Sequence, residues 1–112
     1  MNPTSVSLAL RPAGISARAP RHPGRFLERN CLAPLRMTQL EAAQLLGMSR
    51  RRVNEIVQGR RGISPDTAVR FAVVFGIDTA FWLALQANWD SFRAWKQMCR
   101  HAHMRRCASP TP

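Results

Sequence analysis

Acidic residues are scarce in this chain of 112 residues, and none of them is placed for catalysis. The six carboxylates are scattered singly, so no pair has the spacing that general acid–base chemistry needs. A glycine-rich phosphate loop is also missing, and no serine or cysteine nucleophile has a base nearby on an element that we expect to be ordered. These absences argue against an enzyme, and we expect no cofactor.

Long apolar runs are missing as well, and cysteines are few. No stretch approaches the roughly 18 apolar residues of a membrane-spanning helix, and the apolar stretch 5–10 is too short for the core of a signal peptide. The three cysteines follow no disulfide pattern, which fits a reducing cytosol. Potential zinc ligands lie near the C-terminus, but their spacing is poor and Cys31 is the only cysteine elsewhere, so we expect no metal site. These potential ligands are Cys99, His101, His103 and Cys107.

Positive charge is abundant and unevenly distributed. Of the net charge of +11, residues 1–22 carry three and residues 93–112 carry five, and neither segment contains an acid. The total predicts a polyanionic partner. Residues 1–21 contain three prolines and no sustained apolar period, which predicts a disordered basic leader. We expect a folded domain over 22–96 and a disordered basic tail over 97–112.

The segment 38–59 has the pattern of two helices that meet at a sharp corner, a helix-turn-helix. Ala43 is small where the second helix would cross the first, and Gly47 can adopt the positive φ of the corner. Ser49 can then cap the second helix through its hydroxyl. The apolar positions expected to bury the two helices are Leu40, Leu46, Val53, Ile56 and Val57.

The second of these helices presents long polar side chains on the face opposite its apolar residues. Such side chains can contact base edges and phosphates, and Arg60 and Arg61 in the following loop could clamp the DNA backbone. The alternative is a solvated helix with a surface pair of Arg51 and Glu55, but three consecutive arginines directly after a capped corner favour DNA binding. The predicted DNA contacts are Gln39, Ser49, Arg50, Arg51, Arg52, Asn54, Glu55, Gln58, Arg60 and Arg61.

Two flanking helices complete the predicted bundle before the last helix. The first should begin near Pro23 and end at about Leu32, because Pro34 disfavours helical backbone in the residue before it. The other should begin after the cap Ser64 and end at Gly76. The residues expected to face the core from this second helix are Val69, Ala72 and Val73.

The last predicted helix begins near Asp78 and carries a wide aromatic stripe that includes all three tryptophans of the chain. The stripe covers an arc of about 140°, more than one small bundle usually needs, so part of it can meet a second copy of the chain or another protein. The alternative is that the whole stripe is core. The residues predicted at a dimer or partner interface are Trp82, Trp89, Phe92 and Trp95.

The helix-turn-helix is accompanied by further recognisable segments: His22-Pro23-Gly24 before it, and 59–76 and 80–90 after it. With them, the chain resembles the HigA family of antitoxins from prokaryotic type II toxin–antitoxin systems, within the XRE and Cro/cI-type group. The resemblance implies a five-helix DNA-binding domain, usually a homodimer. It also implies a protein that represses its own operon and neutralises a RelE-like ribonuclease toxin.

We therefore expect an all-α, cytoplasmic protein that binds an inverted repeat in double-stranded operator DNA and has no membrane partner. A stand-alone XRE-type transcriptional regulator of the same fold is the first alternative. A protein-interaction module that blocks a toxin without binding DNA is the second. A short RelE-like open reading frame beside the gene would favour the antitoxin.

Overall fold

The computed structural model of the chain describes residues 11–108, and its described side chains end at residue 102. Within this range the regular secondary structure is helical, and residues 11–21 contain turns but no helix. The disorder predicted for residues 1–10 and 109–112 falls outside the described residues, as do the side chains of His103 and Cys107. In the part that the structure describes, no helix is both long and apolar enough to cross a membrane.

Five helices follow one another along the described chain. Helix α1 has three consecutive segments, Pro23–Leu27, the π-helical turn Glu28–Leu32 and Ala33–Leu35. The others are α2 (Gln39–Leu46), α3 (Arg50–Val57), α4 (Pro65–Phe75) and α5 (Thr79–Ala108). Residues 21–87 form one compact unit, which contains the hydrophobic core, and the described residues 11–20 and 88–108 belong to a second unit.

Helix α1 does not end where its proline predicts. The predicted end at about Leu32 is wrong, because the helix continues through Pro34 to Leu35. The π-helical turn explains this: Ala33 donates its N–H to the carbonyl of Glu28, five residues back, and the wider turn relieves the clash between a proline ring and the preceding turn. The helix ends at Arg36, whose φ of 51° is left-handed, and Met37 N donates to Leu32 O at 2.9 Å.

The predicted helix-turn-helix is confirmed in α2 and α3. Gly47 ends α2 with a φ of 68°, and Ser49 Oγ accepts a hydrogen bond from Arg52 N at 3.1 Å to cap α3. Helix α2 begins with a capping box that the sequence analysis missed. Thr38 Oγ1 accepts from Glu41 N, and Thr38 N donates to Glu41 Oε1 at 3.0 Å, which lowers the pKa of Glu41 below its ordinary value.

The buried face of α2 differs from the predicted one at one position. Leu46 is buried as predicted, but Leu40 is 52% exposed, and Ala42 and Ala43 form the rest of the contact. Ala42, Ala43 and Leu46 define the buried face of α2, and Leu40 lies about a third of a turn away from the centre of that face. The two small alanines let the helix approach its neighbours closely, so no large side chain is needed there.

The prediction of which side of α4 faces the core is wrong. Val69 and Val73 are 49% and 78% exposed, and Ala72 is only half-buried. The residues of α4 that are buried are Thr67, Ala68 and Phe71. Because this helix is apolar on several faces, its periodicity alone does not determine which face is buried. The buried face is determined by the aromatic residue that packs against Phe71.

That aromatic residue is Trp82, which is completely buried at the centre of the core. Its ring lies 4.9 Å from the ring of Phe71 and 5.4 Å from that of Phe26, both in edge-to-face geometry. The prediction that Trp82 contacts a partner is therefore corrected, because no part of its side chain is left on the surface. The core residues contributed by α1 and α3 are Leu27, Cys31, Leu32, Val53, Ile56 and Val57.

Helix α5 begins at Thr79, as predicted, but continues beyond residue 96 to Ala108. Residues 97–108 are thus helical, whereas their basic composition predicted an irregular tail. The segment 79–108 contains neither proline nor glycine, so nothing in its backbone chemistry ends the helix before residue 108.

Candidate DNA-reading surface

Helix α3 is held against α1 by an approach so close that only glycine fits. A Cβ atom at Gly24 would overlap the carbonyl oxygen of Ile56, near the end of α3. His22, which is buried, caps α1 by accepting the N–H of Gly24 on its Nδ1 atom at 2.9 Å, and Pro23 occupies the first helical position. The segment His22-Pro23-Gly24 thus fixes the end of α3.

A second attachment joins α3 to α4 through Arg52. Its Nη2 atom donates to Thr67 Oγ1 at 3.0 Å, and Thr67 is fully buried. The Nε atom of Arg52 is also buried and has no hydrogen-bond partner among the described residues. Arg52 therefore ties two helices together through its Nη2 atom. Its contact with DNA stays a prediction.

The corner between α2 and α3 is supported by Arg70, which the sequence analysis missed. Arg70 Nη1 donates to the carbonyl of Leu46 at 2.9 Å and approaches that of Gly47 at 3.4 Å, while its Nε donates to Asp66 Oδ2 at 3.0 Å. It thus satisfies carbonyl groups that the end of α2 leaves without helical partners. No local signal points to this role, because the residues are more than 20 positions apart in the sequence.

The candidate reading surface consists of the exposed side chains of α3, Gln39 at the start of α2, and Arg60 and Arg61 in the loop after α3. The Arg51 side chain is 89% exposed, and Asn54 Nδ2 donates to Gln39 Oε1 at 3.0 Å. One shallow depression of about 390 Å³ is lined by Arg50, Arg51 and Asn54. A second, of about 440 Å³, is lined by Thr38, Gln39, Leu40, Arg50 and Asn54.

Glu55 is the acid of this surface, and arginines on both sides of it contact its carboxylate. Its Oε1 accepts from Arg61 Nε at 3.1 Å, and its Oε2 lies 3.8 Å from Arg51 Nε. The backbone carbonyl of Glu55 accepts from the N–H groups of Arg60 and Arg61 at 2.9 and 3.3 Å. All ten residues predicted to contact DNA lie on α3, at its ends, at the start of α2 or in the loop after α3. Ser49 caps α3, and Arg50, Gln58 and Arg60 are exposed.

Three aromatic residues predicted at an interface, Trp89, Phe92 and Trp95, are half-buried in the unit that contains residues 88–108. The Nε1 atom of Trp95 is buried and has no hydrogen-bond partner among the described residues. Their contact with a partner stays a prediction. Among the side chains that the structure describes, no group of three potential metal ligands lies together.

The fold and this surface define a helix-turn-helix DNA-binding protein. The helix-turn-helix family model matches residues 29–82, which include α2, α3 and α4. The chain belongs to the HigA family of antitoxins, whose helix-turn-helix domains bind DNA and are not enzymes.

The chain is similar to one curated protein and to two solved proteins of the HigA type. Virulence-associated protein I of Dichelobacter nodosus is 39% identical over 79 residues, which are 70% of this chain and 73% of that protein. The solved addiction module antidote protein of the HigA family from Coxiella burnetii is 33% identical, with a TM-score of 0.70 over 85% of this chain and 99% of that one. The Pseudomonas aeruginosa antitoxin HigA, solved with the higBA promoter, is 29% identical, with a TM-score of 0.69 over 83% of this chain and 99% of that one.

Proposed function

We propose that the chain is a cytoplasmic antitoxin that represses its own operon and neutralises a RelE-like ribonuclease toxin. The observation that carries the DNA-binding half is the outward face of α3, where Arg51 is 89% exposed directly after a capped corner. The related P. aeruginosa antitoxin was solved with promoter DNA, which supports DNA binding by this chain. The toxin half draws its support from the antidote protein of C. burnetii.

In this proposal α3 enters the major groove of the operator. Arg51 and Asn54 face base edges, because both line the depression at the exposed start of α3. Arg60 is exposed in the following loop, where a contact to phosphate would position the helix without specifying the sequence. Occupation of the promoter by the protein would then exclude RNA polymerase.

Arg51 and Arg60 should differ in what they contribute to DNA binding. On the DNA directly upstream of the chain's own coding sequence, Arg51→Ala should cost about 1 to 3 kcal/mol and relax the preference at one base pair. Arg60→Ala should weaken binding to this duplex and to a scrambled duplex equally, and should make the salt dependence shallower. Fluorescence anisotropy titrations of both duplexes at several salt concentrations measure the two effects.

The wild-type protein is the first control, because it must prefer the upstream duplex over the scrambled one. If Arg51→Ala weakens both duplexes by the same factor, Arg51 contacts phosphate and not a base. If the wild-type chain binds both duplexes equally at all salt concentrations, the proposal of operator binding fails.

A homodimer is part of the proposal, because one helix-turn-helix reads only a few base pairs and an inverted repeat presents two half-sites about one helical turn apart. We expect Trp95→Ala to lower the dimerisation constant and the affinity for DNA together, while the thermal transition of the 21–87 unit is retained, because Trp95 lies outside that unit. Sedimentation equilibrium and thermal melts measure the two properties separately.

Val73→Ala is the matched control for Trp95→Ala, since Val73 is an apolar surface residue of α4 and is 78% exposed. It should leave both dimerisation and DNA affinity unchanged. A Trp95→Ala protein that is still fully dimeric at low micromolar concentration would place the two-fold axis elsewhere, for example at α1.

The toxin partner is tested by expressing the chain together with the product of the open reading frame beside its gene. Antitoxin activity predicts that the two proteins purify as a complex and that the chain restores growth stopped by the neighbouring protein. Operator binding without such a complex would identify a stand-alone regulator of the same fold. A complex without operator binding would identify an interaction module that does not act on DNA.

A further inference from the structure

We propose that Glu55 sets the specificity of the reading surface by holding Arg51 and Arg61 away from the phosphates of arbitrary DNA. On the preferred site, a base amino group, such as N4–H of cytosine, would donate to the carboxylate and release the two arginines to the DNA. This inference rests on the proposed DNA-binding function and adds a basis for discrimination to it.

The geometry places the carboxylate between its two arginines. Arg61 reaches it from the loop after α3 at 3.1 Å, and Arg51 reaches it from one helical turn earlier at 3.8 Å. The Glu55 side chain is only 25% exposed, whereas those of Arg51 and Arg61 are 89% and 52% exposed. The acid is thus the fixed member of the group, and the two arginines are the members that can move to another partner.

Helix stabilisation does not explain this arrangement. An arginine four residues before a glutamate is the less favourable orientation of a helical ion pair, and the Arg51 contact is the longer of the two. The shorter contact goes to Arg61, which lies beyond the end of α3, and the loop is already joined to Glu55 by two backbone hydrogen bonds. The Glu55 side chain is therefore not needed to close this loop.

The consequence for DNA binding follows from the charges. A carboxylate on the groove-facing side of α3 is repelled by phosphates and by the acceptor atoms of guanine and thymine, but it can accept from the amino groups of cytosine and adenine. On DNA without a suitably placed amino group, Arg51 and Arg61 would have to leave an uncompensated Glu55 in order to bind phosphate. Non-specific affinity is thereby reduced, and the preferred site is affected less.

The test compares Glu55→Gln with Glu28→Gln, which removes the same charge from the π-helical turn of α1, an element that is not part of the reading surface. The DNA probes are the duplex that the wild-type protein enriches from a random-sequence library and a scrambled version of it. For Glu55→Gln we expect about three- to tenfold tighter binding to the scrambled duplex and a salt dependence steeper by about one phosphate contact. Binding to the enriched duplex should weaken about fivefold, since the neutral amide oxygen of glutamine accepts from a base amino group less strongly than the carboxylate does. Glu28→Gln should leave the affinity for both duplexes unchanged.

Combining Glu55→Gln with Arg61→Ala tests whether the higher affinity for the scrambled duplex results from loss of the Glu55–Arg61 ion pair. Glu55→Gln should raise the affinity for the scrambled duplex in two backgrounds, the wild type and Arg61→Ala. The increase should be smaller in the Arg61→Ala background, because one of the two paired arginines is already absent. An equal gain in both backgrounds, or equal tightening on both duplexes, would show that Glu55 contributes only its charge and would overturn the inference. If the wild-type protein enriches no sequence at all, the proposed function itself fails. Thermal melts confirm that each variant is folded.

Discussion

Replacing Gly24 by alanine is expected to destabilise the fold by at least about 3 kcal/mol, because the added methyl group has no space. The obstacle is the carbonyl oxygen of Ile56, a backbone atom that cannot rotate away, so α1 and α3 would have to separate. Small domains are stable by only about 5 to 15 kcal/mol, so this is a large share of the total. Denaturant unfolding followed by circular dichroism measures the loss, and DNA binding should be lost in parallel.

Gly62→Ala is the matched control for Gly24→Ala. Its added Cβ atom would lie 2.9 Å from the side-chain amide of Gln86, which can turn aside, although Gln86 Oε1 then loses its hydrogen bond from Ile63 N. We expect a cost of about 1 kcal/mol for that hydrogen bond. A Gly24→Ala protein with the wild-type unfolding midpoint would show that α1 can shift away from α3 without loss.

Trp82→Ala is expected to cost about 3 to 5 kcal/mol, because it empties the centre of the core. The indole contacts Phe71 and Phe26, and its Nε1 atom has no hydrogen-bond partner among the described residues. Trp82→Phe should therefore cost less, since it preserves an aromatic ring at this position and removes no hydrogen bond. Thermal melts of both variants measure the difference.

Trp82→Phe also distinguishes a core residue from an interface residue. At a temperature where Trp82→Phe is folded, sedimentation equilibrium should give the wild-type dimerisation constant. A variant that keeps its thermal transition but dissociates into monomers would mean that Trp82 acts at an interface after all, contrary to its complete burial within one chain.

Local chemistry made the helix-turn-helix predictable. Gly47 and Ser49 end one helix and begin the next through their own backbone and side-chain preferences, and both adopt the expected conformations. The prediction that Val53 and Ile56 are buried is confirmed, because α3 has a single apolar face and polar residues at its remaining positions. Where neighbouring residues carry the signal, as in the helix-turn-helix, the structure could be derived from the sequence.

Features that depend on distant residues were not predictable in this way. The buried side of α4 is selected by Trp82 and not by the periodicity of α4 itself. Arg52 has a sequence context that favours a DNA contact, yet it is held by Thr67, fifteen residues later. Arg70 reaches the carbonyl of Leu46 across 24 residues. Each of these outcomes is decided by tertiary packing.

The attachments of α3 have a thermodynamic consequence for binding. An isolated helix of eight residues would be marginal in water, but this one is buried on Val53 and Ile56, pressed against Gly24 and hydrogen-bonded through Arg52. Its backbone is therefore ordered before DNA arrives. Association should then lack the large negative heat-capacity change of coupled folding, and its entropic cost should fall on the exposed arginine side chains and not on the main chain.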